Sequence, residues 1–171
     1  MRMNWLQRTI REYKHIKFHV EQKDYRFMDQ LHHSINYYRS RENDDSDTYH
    51  EIKLSSITSL FITSEIDRVL ESGFKPFAKT FFHHLEENRH MGRQTSYVQA
   101  YGYFHTSEMK AIHDLTAMMN EHLEDEYLLH SQTFYQITSN DLLRFFIKIS
   151  CEKYRNIPVS KMSYLLSSSS V

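Results

Sequence analysis

The chain has 171 residues, of which only 3 are Gly and 2 are Pro, and its net charge is -1. Average usage would give about 20 of these two residue types together. The deficit argues against folds made of many short strands with Gly- and Pro-rich turns, and it predicts a chain dominated by helices. The glycines at 73, 92 and 102 are too far apart to form a glycine-rich phosphate-binding loop.

The bulk composition predicts one all-α domain over residues 1–171, built as an irregular bundle of about five to seven helices. Its hydrophobic fraction of 40% is enough for a packed core. Cys151 is the single cysteine, so no intramolecular disulfide can form. No apolar run approaches the length of a membrane-spanning helix. We therefore expect a cytoplasmic protein with no membrane partner.

The N-terminal part of the chain predicts a helical arm over 1–41. Apolar residues recur at helical spacing across 6–20 and again across 27–38. The alternation of apolar and polar residues over 16–20 would also suit a strand, but it is short. Residues 42–48 are acidic and rich in turn formers, so they predict a linker.

A helical core is predicted over 49–156, with helices at about 49–71, 75–90, 106–130 and 140–155. The segment at 92–105 contains two of the three glycines and several aromatic residues, and it predicts an irregular stretch or a short helix. A short C-terminal helix over 158–166 and a Ser-rich tail follow the core. No internal repeat of the length found in solenoids and propellers is visible.

The 12 His residues raise the question of a metal site. Glu12-x-x-His15 and Glu87-x-x-His90 have the local spacing of di-iron helical bundles. Arg and His residues also occur at the spacing used by compact helical ribonucleases of the HEPN type. Random placement gives about as many matches of both kinds. We therefore predict no catalytic residue, no metal and no cofactor, with an HEPN-like RNase or a His/Glu metalloprotein as weaker alternatives.

The C-terminal residues 141–169, a predicted helix over 141–154 followed by the segment 156–169, resemble the first half of a winged or simple helix-turn-helix. An apolar residue, Met162, is followed by the small Ser163, and Leu166 comes three positions after that. Ser167 occupies the place of the usual turn glycine. The other interpretation is an ordinary helix with a Ser-rich end. The resemblance implies a DNA-binding surface whose candidate residues are Lys153, Arg155, Ser160 and Lys161.

Aromatic residues often stand side by side in this chain. In such a doublet one ring can face the core while the other faces outward or toward a partner. Exposed aromatic residues are enriched at protein interfaces. The candidate partner-binding residues are Tyr37, Tyr38, Tyr101, Tyr103 and Phe104.

These observations predict a non-enzymatic regulatory or adaptor protein. It would act through protein–protein interaction or self-association, so its partner would be another protein or a second copy of the chain. The alternative is a transcriptional regulator with an incomplete C-terminal helix-turn-helix, for which nucleic acid would be the partner.

Overall fold

A computed structural model describes residues 12–42, 51–90, 95–127 and 136–168. The protein is 75% helical and also contains a small two-stranded sheet. In none of these ranges is a helix both long enough and apolar enough to cross a membrane. The elements in chain order are β1 (Tyr13–Glu21), α1 (Gln22–Glu42), α2 (Leu54–Ser72), α3 (Phe74–His90), β2 (Tyr97–His105), α4 (Thr106–Tyr127), α5 (Ser139–Tyr154) and α6 (Val159–Ser168).

The prediction of a mostly helical chain is confirmed, but a purely all-α fold is wrong because β1 and β2 pair with each other. They form an antiparallel ribbon in which Tyr13 lies opposite His105 and Glu21 lies opposite Tyr97. β1 replaces part of the helix predicted over 6–20. The short alternation of apolar and polar residues was the correct signal, because a strand turns successive side chains to opposite faces.

The segment at 92–105 was predicted to be an irregular stretch or a short helix, and this prediction is wrong because the segment contains the regular strand β2. The side chains of Ala100 and Phe104 are buried, and the tyrosines at 101 and 103 between them are exposed. This alternation of inward and outward residues suits the pleat of a half-buried strand. Gly102 lies on the inward side, where the ring of Phe104 occupies the space next to it.

The helices that follow begin and end within a few residues of their predicted positions, except that α2 begins at Leu54. Thr138 caps α5 in a capping box with Asp141, which satisfies donors at the helix N-terminus. α4 follows β2 without a break, and Glu108 in its first turn accepts the backbone N–H of His105 at 2.7 Å. The predicted linker at 42–48 lies outside the described residues apart from Glu42, which ends α1.

The chain consists of two halves with the same order of elements. Each half is a strand followed directly by a long helix, then by a second and a third helix. Position 22, where α1 begins, corresponds to position 106, where α4 begins. Position 54, where α2 begins, corresponds to position 139, where α5 begins. This repeat is about half the chain in length, far longer than the repeats of solenoids and propellers.

Burial follows the same correspondence. Met28, Leu31 and Ile35 on α1 are buried, as are their counterparts Ile112, Leu115 and Met119 on α4. The correspondence extends to the second and third helices of each half. There, the buried residues Ile57, Phe61, Ile66, Val69 and Phe77 correspond to Leu142, Phe146, Cys151, Tyr154 and Met162.

Each half also repeats a set of hydrogen bonds that connects its first helix to the backbone just before its second helix, and we call this connection the joint. Asn36 on α1 accepts the backbone N–H of Ile52 at 2.9 Å and donates to its carbonyl at 3.0 Å. Asn120, its counterpart on α4, makes the same two bonds with Ile137 at 2.8 and 2.9 Å. In each half an Asn amide therefore satisfies the backbone just before the second helix, which a buried extended segment requires.

The strands and the second helices of the two halves are related by an approximate twofold axis through the ribbon. Lys17 of β1 corresponds to Tyr101 of β2 in the repeat, and these two residues are also direct partners in the sheet. A pair of equivalent residues that face each other lies on a twofold axis. Glu65 and Ser150 are a second such pair, with the Ser150 Oγ at 3.5 Å from the Glu65 carboxylate.

We predict that Gly102→Ala destabilises the protein by about 2 kcal/mol, because an added methyl group overpacks the core. A Cβ at this position would lie 2.6 Å from Cζ and 2.7 Å from Cε2 of the Phe104 ring. Urea unfolding measures the loss. The variant Gly102→Ala/Phe104→Leu should lose less than the sum of the two single changes, since the smaller side chain makes room for the methyl group.

Gly73→Ala is the control for the double-mutant cycle formed by Gly102→Ala and Phe104→Leu. Gly73 has a φ of 91°, and nothing lies within 4 Å of an added Cβ. Its cost should come from the backbone alone, at about 1–3 kcal/mol, and should not change in the Phe104→Leu background. Strictly additive costs for Gly102→Ala and Phe104→Leu would contradict the packing of the ring against Gly102.

Candidate functional site

The outward side of the ribbon is the most distinctive surface of the described residues. The odd-numbered side chains of residues 13–19 and 97–103 are exposed there, while the even-numbered ones in the middle of the strands point inward, and Glu21 at the end of β1 is buried. We call this surface the ribbon face. It consists of Tyr13, His15, Lys17, His19, Tyr97, Gln99, Tyr101 and Tyr103.

The rings of the ribbon face contact one another across the two strands. His15 stacks on Tyr101 with centroids 5.3 Å apart and 7° between the planes, and it lies 4.9 Å from the Tyr103 ring. The Lys17 ammonium lies 5.7 Å from the centre of the Tyr101 ring. Such cross-strand contacts hold the side chains in a defined arrangement before any partner binds.

Both edges of the ribbon are covered by residues near the start of a helix. On the β1 edge, His19 donates its backbone N–H to Asn140 Oδ1 at 2.7 Å, and Arg144 Nε donates to the His19 carbonyl at 3.3 Å. On the β2 edge, Tyr103 donates its N–H to Ser59 Oγ at 2.9 Å. Ser59 and Arg144 are equivalent positions in the two halves. These bonds occupy some of the backbone groups that an added strand would need, which favours a partner that approaches the face.

The residues of the ribbon face carry positive and neutral groups, and the nearest exposed carboxylate is that of Glu12 at the end of the ribbon, 3.8 Å from His105 Nε2. Lys17 lies at the centre of the face, and Lys14 is exposed at one end of β1. Arg144 reaches the face from α5, and its guanidinium lies 4.2 Å from the centre of the Tyr97 ring. Asp141 lies beside this arginine, with 3.7 Å between its Oδ1 and Arg144 Nη1. The face therefore favours a partner with acceptors or negative charge.

The residues predicted for DNA binding lie elsewhere, at the end of α5 and the start of α6. All four are exposed. Arg155 is 3.7 Å from the buried carboxylate of Asp24, and Lys153 lies over the ring of Tyr154. Met162 and Ser163 are buried, so one side of α6 packs into the protein.

The residues predicted for partner binding are divided among three places. Tyr101 and Tyr103 belong to the ribbon face. Tyr37 is exposed on α1, where the Arg41 guanidinium lies 5.0 Å from its ring, and Tyr38 is half-buried. Phe104 is fully buried, because it occupies an inward position of β2.

Sequence reasoning missed the β1 half of the ribbon face. Tyr13, His15, Lys17 and His19 were assigned to a helix, although they alternate with inward residues. Treating Glu12 and His15 as neighbours on a helix was also wrong, since His15 lies in a strand. The Glu12 carboxylate approaches His105 Nε2 instead, at 3.8 Å. The side chain of His90 lies outside the described residues.

The buried Cys151 and the half-buried His84 are unsuited to acid–base or nucleophilic chemistry at neutral pH. Burial raises the pKa of the Cys151 thiol, so this cysteine stays protonated. Burial, together with the positive charge of Lys148, lowers the pKa of His84 to about 4. The imidazole of His84 is therefore neutral, and its Nδ1 accepts a hydrogen bond from the Lys148 ammonium at 2.8 Å.

Asp24 in the first turn of α1 is a buried acid. Burial and the negative charge of Glu21 raise its pKa to about 6, and nearby cations, among them Lys23 and Arg155, oppose this shift. Its Oδ2 is buried and has no hydrogen-bond partner. The equivalent acid, Glu108, differs because it accepts hydrogen bonds from Thr63 and from the backbone of His105. Burial of the Asp24 carboxylate thus lowers the free energy of unfolding, whereas the equivalent carboxylate of Glu108 is satisfied by hydrogen bonds.

Comparison with protein-family models, with curated proteins and with solved structures finds no match for this chain. The functional argument therefore depends on the ribbon face and on the side chains around it.

We predict that Asp24→Asn stabilises the protein at pH 7 by about 1–2 kcal/mol. The raised pKa means that the folded state binds more protons than the unfolded state between about pH 4 and 6. The free energy of unfolding of the wild type should therefore fall as the pH rises through this window. Removing the titrating group should abolish that fall, and the two proteins should be equally stable near pH 4.

Urea unfolding at pH 4.5 and pH 7 measures the effect. Asp67→Asn is the control, because Asp67 is exposed on α2 and its replacement should change little at either pH. If Asp24→Asn were less stable than the wild type at pH 7, the attraction between Asp24 and Arg155 would outweigh the cost of burial.

Proposed function

We propose that this protein is a DNA-binding regulator that places the ribbon face in the major groove of a duplex. The observation that carries the proposal is the ribbon itself. It is a nine-residue antiparallel pair on an approximate twofold axis, with an outward side made only of Tyr, His, Lys and Gln. The proposal retains the regulatory function expected from the sequence, but it assigns DNA recognition to the ribbon and not to the C-terminal helix.

The dimensions of the ribbon suit the groove. The major groove is about 12 Å wide and admits a two-stranded β-ribbon. Nine residues of extended chain give a ribbon about 30 Å long, close to one helical turn of DNA. Lys17 and Gln99 carry the donors and acceptors that read the edges of guanine and adenine. The tyrosine hydroxyls and the histidines add further hydrogen-bonding groups.

The approximate symmetry predicts the form of the binding site. A twofold axis through the ribbon would coincide with a dyad of the duplex, as in dimeric DNA-binding proteins. Three of the four equivalent pairs on the face differ, since Lys17 corresponds to Tyr101, His15 to Gln99 and His19 to Tyr103, whereas Tyr13 corresponds to another tyrosine, Tyr97. The two half-sites should therefore be related by a dyad but differ in sequence.

Groups for phosphate contacts lie on both flanks of the ribbon. The first turns of α2 and α5 precede Ser59 and Arg144, which bind opposite edges of the sheet. Helix N-termini and cationic side chains are favourable near phosphates. At α5 the capping box with Asp141 already occupies the N-terminal donors, so Arg144 is the phosphate-binding group on that flank and the first turn of α2 is the helix N-terminus that can contact a phosphate. Lys53 immediately before α2 is exposed, and its side chain makes no capping bond to the helix. The whole chain has a charge of only -1, so these local groups have to supply the attraction.

The test is in vitro selection from a randomised duplex library with purified protein, followed by fluorescence anisotropy on the enriched sequence. Selection should yield two unlike half-sites about a dyad. Lys17→Ala should weaken binding about tenfold or more and relax the base preference at the centre. The logarithm of the binding constant should fall with the logarithm of salt with a slope of about -3, for three or four phosphate contacts.

Lys161→Ala is the matched control, because it removes the same charge from an exposed position on α6. It should leave binding unchanged. If Lys161→Ala and Lys153→Ala abolish binding while Lys17→Ala does not, the surface predicted at the C-terminus binds DNA and the ribbon face does not. If no sequence is enriched, DNA recognition by the ribbon is wrong.

The exposed tyrosines favour a second candidate, the adaptor function expected from the sequence. Tyr13, Tyr97, Tyr101 and Tyr103 are 40 to 50% exposed on one face. Tyrosine is enriched at protein interfaces and supplies a large contact area with little loss of side-chain entropy. In this case the partner would be a protein surface whose carboxylates meet Lys17 and Arg144.

For this second candidate, a photoreactive phenylalanine analogue is placed at position 103 and, as a control, at position 164. Tyr164 is 75% exposed on α6 and does not belong to the ribbon face. We expect cross-linking in the source cells to join one protein to position 103 and not to position 164. The Kd of that purified protein should rise at least tenfold for Tyr101→Ala/Tyr103→Ala, since central tyrosines are common hot spots. Equal cross-linking at both positions, or an unchanged Kd, would count against this candidate.

A further inference from the structure

We propose that α1 carries a Zn²⁺ site formed by Asp29, His32 and His33. One ligand atom from each of these residues lies within 4.8 Å of the other two. Two histidines and a carboxylate are a ligand set that Zn²⁺ prefers, and with three protein ligands a water completes the tetrahedron. The proposal stands apart from the ribbon face, since none of these residues belongs to it.

The environment of His32 leaves one ring nitrogen ready to bind a metal. Its Nε2 lies 2.7 Å from the carbonyl oxygen of Ile52, and a carbonyl only accepts, so Nε2 carries the proton. In the neutral ring Nδ1 then holds a lone pair. This Nδ1 is buried and has no hydrogen-bond partner. Metal-binding histidines commonly donate their other ring N–H to a backbone carbonyl, which fixes the ring and its tautomer.

Asp29 and His33 can close around an ion at this nitrogen. They are four residues apart on α1, with His33 Nε2 at 3.6 Å from Asp29 Oδ1. Around a tetrahedral Zn²⁺, neighbouring ligand atoms lie about 3.4 Å apart. The Asp29–His33 distance is already close to this value. Both side chains are at least 47% exposed, so they can move the remaining distance toward His32 without disturbing the core.

The other half of the protein shows that the fold does not need this cluster. The counterparts of Asp29, His32 and His33 are His113, Thr116 and Ala117. Thr116 donates to a carbonyl within its own helix, and the joint before α5 is held by Asn120. The joint before α2 has the equivalent bonds from Asn36 as well as the bond from His32. The histidine is therefore an addition to a joint that is already complete.

The test is titration of the untagged, full-length protein with Zn²⁺ by isothermal calorimetry, with Co²⁺ absorption as a second measurement. We expect one tight site in the wild type and a tetrahedral Co²⁺ spectrum. His32→Ala and Asp29→Asn should each weaken that site at least tenfold, because each change removes one of three protein ligands. Zn²⁺ should raise the Tm of the wild type and not that of His32→Ala.

His83→Ala is the matched control. His83 and Glu87 on α3 are also four residues apart, with 3.4 Å between imidazole and carboxylate and similar exposure. Among the described residues this pair has no third ligand close to it, so the variant should bind Zn²⁺ like the wild type. The proposal is overturned if the wild type shows no site tighter than free surface histidines, or if His83→Ala weakens binding as much as His32→Ala. Circular dichroism confirms that each variant is folded.

Discussion

The antiparallel pairing of β1 with β2 is the constraint on which the rest of the structure depends. Each strand is the first element of one half, and the pairing joins the halves with Lys17 opposite Tyr101. A two-stranded ribbon is only marginally stable in water unless helices cover one side. Here helices of both halves cover the inward side, and residues near the starts of α2 and α5 bind its edges. The outward side is left as a surface of defined register.

The same pairing explains why neither half is complete alone. The buried Ser150 donates to the carbonyl of Phe61 in the other half, and Phe61 stacks on Tyr154 with centroids 4.8 Å apart. The second helices of the two halves thus share one core across the approximate axis. Each half leaves an apolar face that the other half buries, which is the arrangement of a twofold dimer joined into one chain. The two halves nevertheless differ at equivalent positions, since Asp24 has a buried carboxylate oxygen without a hydrogen-bond partner whereas Glu108 is satisfied.

The sequence predicted the helices well because their apolar residues recur over several turns and their ends carry recognisable signals such as Thr138 and Gly73. It did not predict the strands, because the alternation over 16–20 was outweighed by a longer helical spacing around it. A strand in a ribbon is fixed by its partner, which is far away along the chain, and no local pattern shows that partner. Tyr101 and Tyr103 were found as candidate contacts, whereas the residues of β1 were not. The proposed metal cluster does not have the Glu-x-x-His spacing of helical di-iron proteins, and the tautomer of His32 depends on a hydrogen bond to the carbonyl of Ile52 that no sequence pattern shows.

Comparison of the two halves distinguishes positions whose residue type the fold requires from positions where the residue type can differ. Most positions that build the core are apolar in both halves, although the buried Thr58 corresponds to Leu143 and the buried Ser163 corresponds to Ala78, and the joint made by Asn36 has its counterpart in Asn120. Outward positions differ: His19 corresponds to Tyr103, and Asp29 corresponds to His113. Divergence on exposed positions above a preserved core is expected when the two halves acquire different contacts with a partner. A symmetric scaffold with an asymmetric surface suits recognition of a target whose own two halves are similar but not identical.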